Sequence, residues 1–77
     1  MIKQIQKIEF YTVEDTGWSD GVSWFKDDIR YPNFEEAFTV ATQRKDRMAS
    51  DMLHRVVHTE IFAEDNRIVT IETYTKV

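Results

Sequence analysis

The spacing of apolar residues changes period twice along the chain. Ile8, Phe10 and Thr12 alternate with Glu9, Tyr11 and Val13, a period of two that predicts a strand over residues 5–13. The threefold spacing of Ile2, Ile5 and Ile8 would suit a helical turn, but the β-branched and aromatic residues that follow outweigh it. Residues 14–21, EDTGWSDG, hold Asp, Thr, Ser and both glycines and predict a turn or short loop. Residues 22–31, VSWFKDDIRY, read as a second strand with two mixed faces. Asp27 and Asp28 mark a bulge or the strand's effective end, which suits an edge. The period then lengthens: Phe34, Ala37, Phe38, Ala41, Met48 and Ala49 recur at three- and four-residue spacing and predict a helix over 33–50 with its apolar stripe buried. Met52, Leu53 and Val56 fit either period, leaving the helix end between Ser50 and His54. A β-branched run predicts a third strand over 55–63. Glu64, Asp65, Asn66 and Arg67 form a polar turn into a cleanly alternating fourth strand over 68–77, so the last two strands make a hairpin.

Start and charge signals single out the helix. Asn33 can cap the free amides of the first turn, with Glu36 three residues on to reach back, and Pro32 holds Tyr31 extended. Glu35 and Glu36 lie at the positive end of the helix dipole, and Arg44, Lys45 and Arg47 toward its negative end. The order β-β-α-β-β defines an α+β fold in one domain, residues 1–77: an antiparallel four-stranded sheet with one helix packed on one face. Ile8, Phe10, Val57, Ile61, Val69 and Ile71 are expected to face the helix. Glu9, Tyr11, His58, Glu60, Phe62, Thr70, Glu72 and Tyr74 are expected on an open face.

At 77 residues the chain is close to the smallest size at which one core outweighs chain entropy, and it has no cysteine to supplement that core. Self-association, as a homodimer, is the expected supplement. Absent cysteines, no spanning apolar run and no signal-peptide pattern lead to the expectation of a soluble cytoplasmic protein that does not enter membranes. A net charge of −4 disfavours phosphate backbones and anionic lipid as partners.

Little in the chain points to catalysis. His54 and His58 are four apart and on a helix could chelate zinc with Glu60 or Asp51. On a strand they stand roughly 13 Å apart, too far for one ion, so no metal site is expected. The carboxylate pairs Glu14 with Asp15, Asp27 with Asp28 and Glu64 with Asp65 suit turns. No serine sits in a glycine-flanked elbow, and two glycines do not make a phosphate loop. No catalytic residue and no cofactor are expected, and the chain is read as no enzyme. Arg44, Lys45, Arg47 and Arg55 form a basic cluster, read first as a solvated helix end and alternatively as a nucleic-acid contact. Trp18 is either folded back over the core edge or displayed to a partner. Tyr11, Trp18, Trp24, His58, Glu60, Phe62, Glu72 and Tyr74 are the candidate partner-binding residues. With three glutamates among its outward residues, the face suits a protein better than stacked bases.

The short acidic β-β-α-β-β layout, with a tryptophan-bearing turn and the run FEEAFTVA entering the helix, resembles that of small phage-encoded accessory proteins of the anti-CRISPR and host-takeover kind. The resemblance covers the whole chain in arrangement and rests on no specific motif. It implies a stoichiometric inhibitor or modulator that binds a host or defence complex, and it transfers no functional residue.

Overall fold

The computed structural model describes residues 6–16, 24–48, 52–64 and 66–77. Its elements run β1 (Gln6–Thr16), β2 (Trp24–Lys26), α1 (Phe34–Arg47), β3 (His54–Glu64) and β4 (Arg67–Lys76), an α+β fold in the expected order. The four strands form one antiparallel sheet in the order β2-β1-β3-β4. The expected hairpin is present, with Glu64 opposite Arg67 and Arg55 opposite Lys76.

Asn33 caps α1 as its sequence position foretells. Its Oδ1 accepts from the Glu36 N–H at 2.9 Å, and its Nδ2 donates to Glu36 Oε2 at 3.3 Å. The helix stops three residues before Ser50, because Met48 turns extended while its N–H still bonds Arg44 C=O. The expectation of a wholly buried stripe is corrected: Ala37 and Ala41 are fully buried, whereas Phe34, Phe38 and Met48 stay more than a third exposed. Two alanines let the helix backbone approach the sheet closely, over Val13 and Val56. The phenylalanines are left to stack on each other at the flank, 5.4 Å between centroids. Ala49 lies outside the described residues.

The second strand is far shorter than the sequence suggests, ending at Lys26 ahead of Asp27. Val22 and Ser23 are outside the described residues. Asp27 N–H still bonds Val13 C=O at 3.2 Å, and beyond an irregular stretch the backbone pairs with β1 again at Tyr31, which exchanges two hydrogen bonds with Tyr11 at 2.7 and 2.9 Å. β1, in contrast, runs three residues past its expected end. Glu14, Asp15 and Thr16, residues that suit a turn, are buried strand residues.

Residues opposed across antiparallel strands share a face. Val13 opposes Val56 and both meet the helix, so Tyr11, opposite His58, and Glu9, opposite Glu60, lie on the helix side too. The expected faces of β1 and β3 are therefore exchanged. Ile8, Phe10, Val57 and Ile61 look away from the helix, while on β4 Val69 and Ile71 keep the helix side and Thr70, Glu72 and Tyr74 the other. The far face is not simply open either: Phe10, Thr12, Thr16, Val57 and Thr59 are all buried on it, with the Arg30 guanidinium 4.1 Å from the Phe10 ring centroid.

β1 and β3 extend about 36 Å, whereas α1 spans about 21 Å. The sheet therefore overhangs its helix. The radius of gyration is 15.2 Å, against about 11.5 Å for a compact chain of this length. No helix among the described residues is long and apolar enough to cross a membrane.

Candidate interaction surface

Two charged clusters and one aromatic cleft gather the polar chemistry of the chain. On the helix side Asp15 receives two partners. His54 Nδ1 donates to its Oδ1 at 2.5 Å, and Arg44 Nη1 to its Oδ2 at 2.9 Å. Arg44 Nη2 reaches on to Asp27 Oδ2, so one guanidinium ties α1 to both β1 and the segment after β2. Burial works against the Arg44 charge, but the bonds to Asp27 and Asp15 outweigh it and hold the guanidinium above its usual range. The same Arg44 bond is the chief cause holding the Asp27 carboxyl below its ordinary value. His54 is 1% exposed, and its Nε2 has no hydrogen-bond partner among the described residues. A histidine oriented by an aspartate can serve as a base, but among the described residues no hydroxyl lies within hydrogen-bond reach of Nε2.

Where the sheet overhangs the helix on that same side, Glu9 and Glu60 oppose each other directly, an unfavourable like-charge pair. Lys7 Nζ sits 3.1 Å from Glu9 and 3.0 Å from Glu60, and His58 Nε2 lies 3.2 Å from Glu9. Bonds to Glu60 first, and then to Glu9, hold Lys7 above its usual range; Lys7 first, and then His58, hold Glu9 below its own. The ligand atoms of Glu9, His58 and Glu60 fall within 4.8 Å of one another, close enough for an ion. The chain's own ammonium already answers their charge. Tyr11 stacks on His58 at 4.3 Å and 11° and meets Phe34 edge-on at 6.2 Å, while Lys7 lies 5.7 Å from the Phe62 ring. Four of the sequence-selected residues, Tyr11, His58, Glu60 and Phe62, are thus collected here, on the helix side and not on an open face.

Trp24 and Tyr74 meet on the other face. Their strands lie at opposite edges of the sheet, yet their rings flank the Arg55 guanidinium, at 3.9 and 4.2 Å from its Cζ to each centroid. Arg55 is anchored beneath by Glu14, whose Oε1 accepts from Nε at 2.8 Å and from Nη2 at 2.6 Å. With Leu53 and Lys76 these residues line a cleft of about 300 Å³. Glu72 stands on the same face along β4, and Trp18 lies outside the described residues.

The basic cluster read from the sequence is divided by the fold. Arg44 is committed to Asp15 and Asp27, and Arg55 to Glu14 and two rings, on opposite faces of the sheet. The residues that sequence reasoning missed are Glu14, Asp15, Arg44, His54 and Arg55 acting as pairs. The signal lay in the acids Glu14 and Asp15 ahead of β2 and the bases Arg44, His54 and Arg55 far later in the chain, which only the strand pairing and the docking of α1 convert into contacts.

Compared with family models, curated proteins and solved structures, the chain matches none.

Proposed function

We propose that the chain is a non-catalytic protein-binding module, acting in the cytoplasm as a stoichiometric inhibitor or modulator of a larger assembly, as the resemblance of its layout to small phage-encoded accessory proteins implies. The observation that supports this reading is the Trp24, Arg55 and Tyr74 cluster around a cleft on the face away from the helix. Tryptophan, tyrosine and arginine are the residues in which interface binding energy concentrates, because each offers a large rigid area together with a polar handle. Glu14 and the two rings already hold Arg55 in place, so little side-chain freedom is lost when a partner covers it.

The test is recovery of partner protein from a native lysate on immobilised wild type and on a Trp24→Ala, Tyr74→Ala double variant, with circular dichroism of both. Loss of a specific band by a folded variant supports the reading, and equal recovery overturns it. Capture that vanishes between 50 and 200 mM salt and after nuclease treatment would indicate nucleic acid instead.

A further inference from the structure

We propose that β4 pairs with β4 of a second copy, antiparallel about a two-fold axis through Tyr74, to give a continuous eight-stranded sheet. Among the described residues the two edges of the sheet, β2 and β4, differ sharply. β2 is three residues long and the chain beyond it is irregular, whereas β4 runs ten residues, all exposed, in unbroken register with β3. A long edge without proline or bulge is a template for another strand. Val77 N–H bonds His54 C=O at 3.0 Å, which makes the odd-numbered positions of β4 the hydrogen-bonded partners of β3. The backbone groups of Ile68, Thr70, Glu72, Tyr74 and Lys76 consequently point outward.

A second copy of β4 is self-complementary in one register. A two-fold axis normal to the sheet keeps faces matched, so it must pass through a residue position. Centring on Glu72 would set that carboxylate against its own copy, and centring on Ile71 would leave it opposite Thr70. Centring on Tyr74 places Glu72 opposite the other copy's Lys76 twice, Thr73 opposite Thr75 and Ile71 opposite Val77. Opposite charges meet, no like charges face each other, and the half-exposed Tyr74 gains its own copy as a neighbour. Tyr74 and Lys76 also line the cleft, but the pairing rests on the outward backbone of β4, and the disulfide register reads it apart from partner recovery.

The chain has no cysteine, so single replacements report the register cleanly. On mild oxidation Tyr74→Cys should form a disulfide-linked dimer, because the two positions face each other. Glu72→Cys and Ile71→Cys should not, their copies lying roughly 13 and 20 Å apart, beyond disulfide reach. In sedimentation of the unmodified chain at high micromolar concentration a dimer is expected. Glu72→Lys or Lys76→Glu alone should weaken it about tenfold, and the two together should restore it. A chain that stays monomeric, crosslinking through Glu72→Cys or Ile71→Cys, or a charge swap that fails to restore association would each overturn the proposal.

Discussion

Tyr11 and Tyr74 lie on opposite faces of one sheet, the first stacked on His58 beside the helix, the second on Arg55 away from it. Their replacement should therefore have separable effects. Tyr11→Ala removes a stack and an edge-on contact and should cost roughly 1 to 3 kcal/mol. Tyr74, half exposed, should cost no more than about 1 kcal/mol on truncation, with loss of partner binding as its main effect. Urea denaturation alongside partner recovery measures both, and the reverse order of stability losses would show the face assignment to be wrong.

Asp15 is the hub of the buried charges, and its replacement tests how far they depend on one another. Asp15→Asn leaves Arg44 and His54 in place while removing the negative charge between them. Removing one partner of a buried pair strands the other, so a loss of roughly 3 kcal/mol is expected. A shift in the urea midpoint equivalent to less than 1 kcal/mol would mean that solvent screens the cluster.

Acid should dissolve the link between α1 and the segment after β2. The Asp27 carboxyl is held below its ordinary 3.8, chiefly by the Arg44 hydrogen bond and against the effect of burial. A depressed folded value means that the unfolded chain binds the proton first. The contribution is therefore present above pH 3.8 and is lost as pH falls through the lower folded value. Denaturation midpoints between about pH 6 and pH 2 should fall below that point, and Asp27→Asn should flatten that fall.

Close helix seating makes small residues more sensitive than large ones. Ala41→Leu must force the helix off Val13 and Val56 and should cost roughly 1 to 3 kcal/mol. Phe38→Ala, at a position 39% exposed, should cost less, about 1 kcal/mol. Thermal melting of the two variants decides, and a larger loss for Phe38→Ala would place the helix on its phenylalanines.

Buried hydroxyls on the far face predict a gain. Thr59 Oγ1 has no hydrogen-bond partner among the described residues, although the residue is 4% exposed. Thr59→Val keeps the shape and removes a desolvated polar atom, so about 1 kcal/mol should be gained, visible as a melting point higher by some 4 to 8 °C. A lower melting point would show that the hydroxyl is satisfied in solution.

The helix and the hairpin were legible because their signals are local. Asn33 and Glu36 are three residues apart and bond within one turn, and the alternation of β4 needs no partner to be seen. The faces of β1 and β3 were not, because Ile8 and Phe10 on one parity and Tyr11 and Val13 on the other are equally credible core residues. What decides between them is remote: Asp15 is 29 residues from Arg44 and 39 from His54, and Glu14 is 41 from Arg55. Those pairings turn three residues that suit a loop into the buried end of a strand. They also withdraw Arg44 and Arg55 from the basic patch that the sequence displays.

A sheet about 36 Å long under a helix of about 21 Å cannot melt as evenly as its strand pairing implies. Amide hydrogens around Val13 and Val56 sit beneath fully buried alanines and can exchange with deuterium only when the whole fold opens. Those around Ile8, Ile68 and Val69 have no helix above them among the described residues, so the end of the sheet can fray and close again while the helix stays docked. The protein thus has two tiers of protection within one continuous set of strands, with the boundary running near Tyr11 and His58.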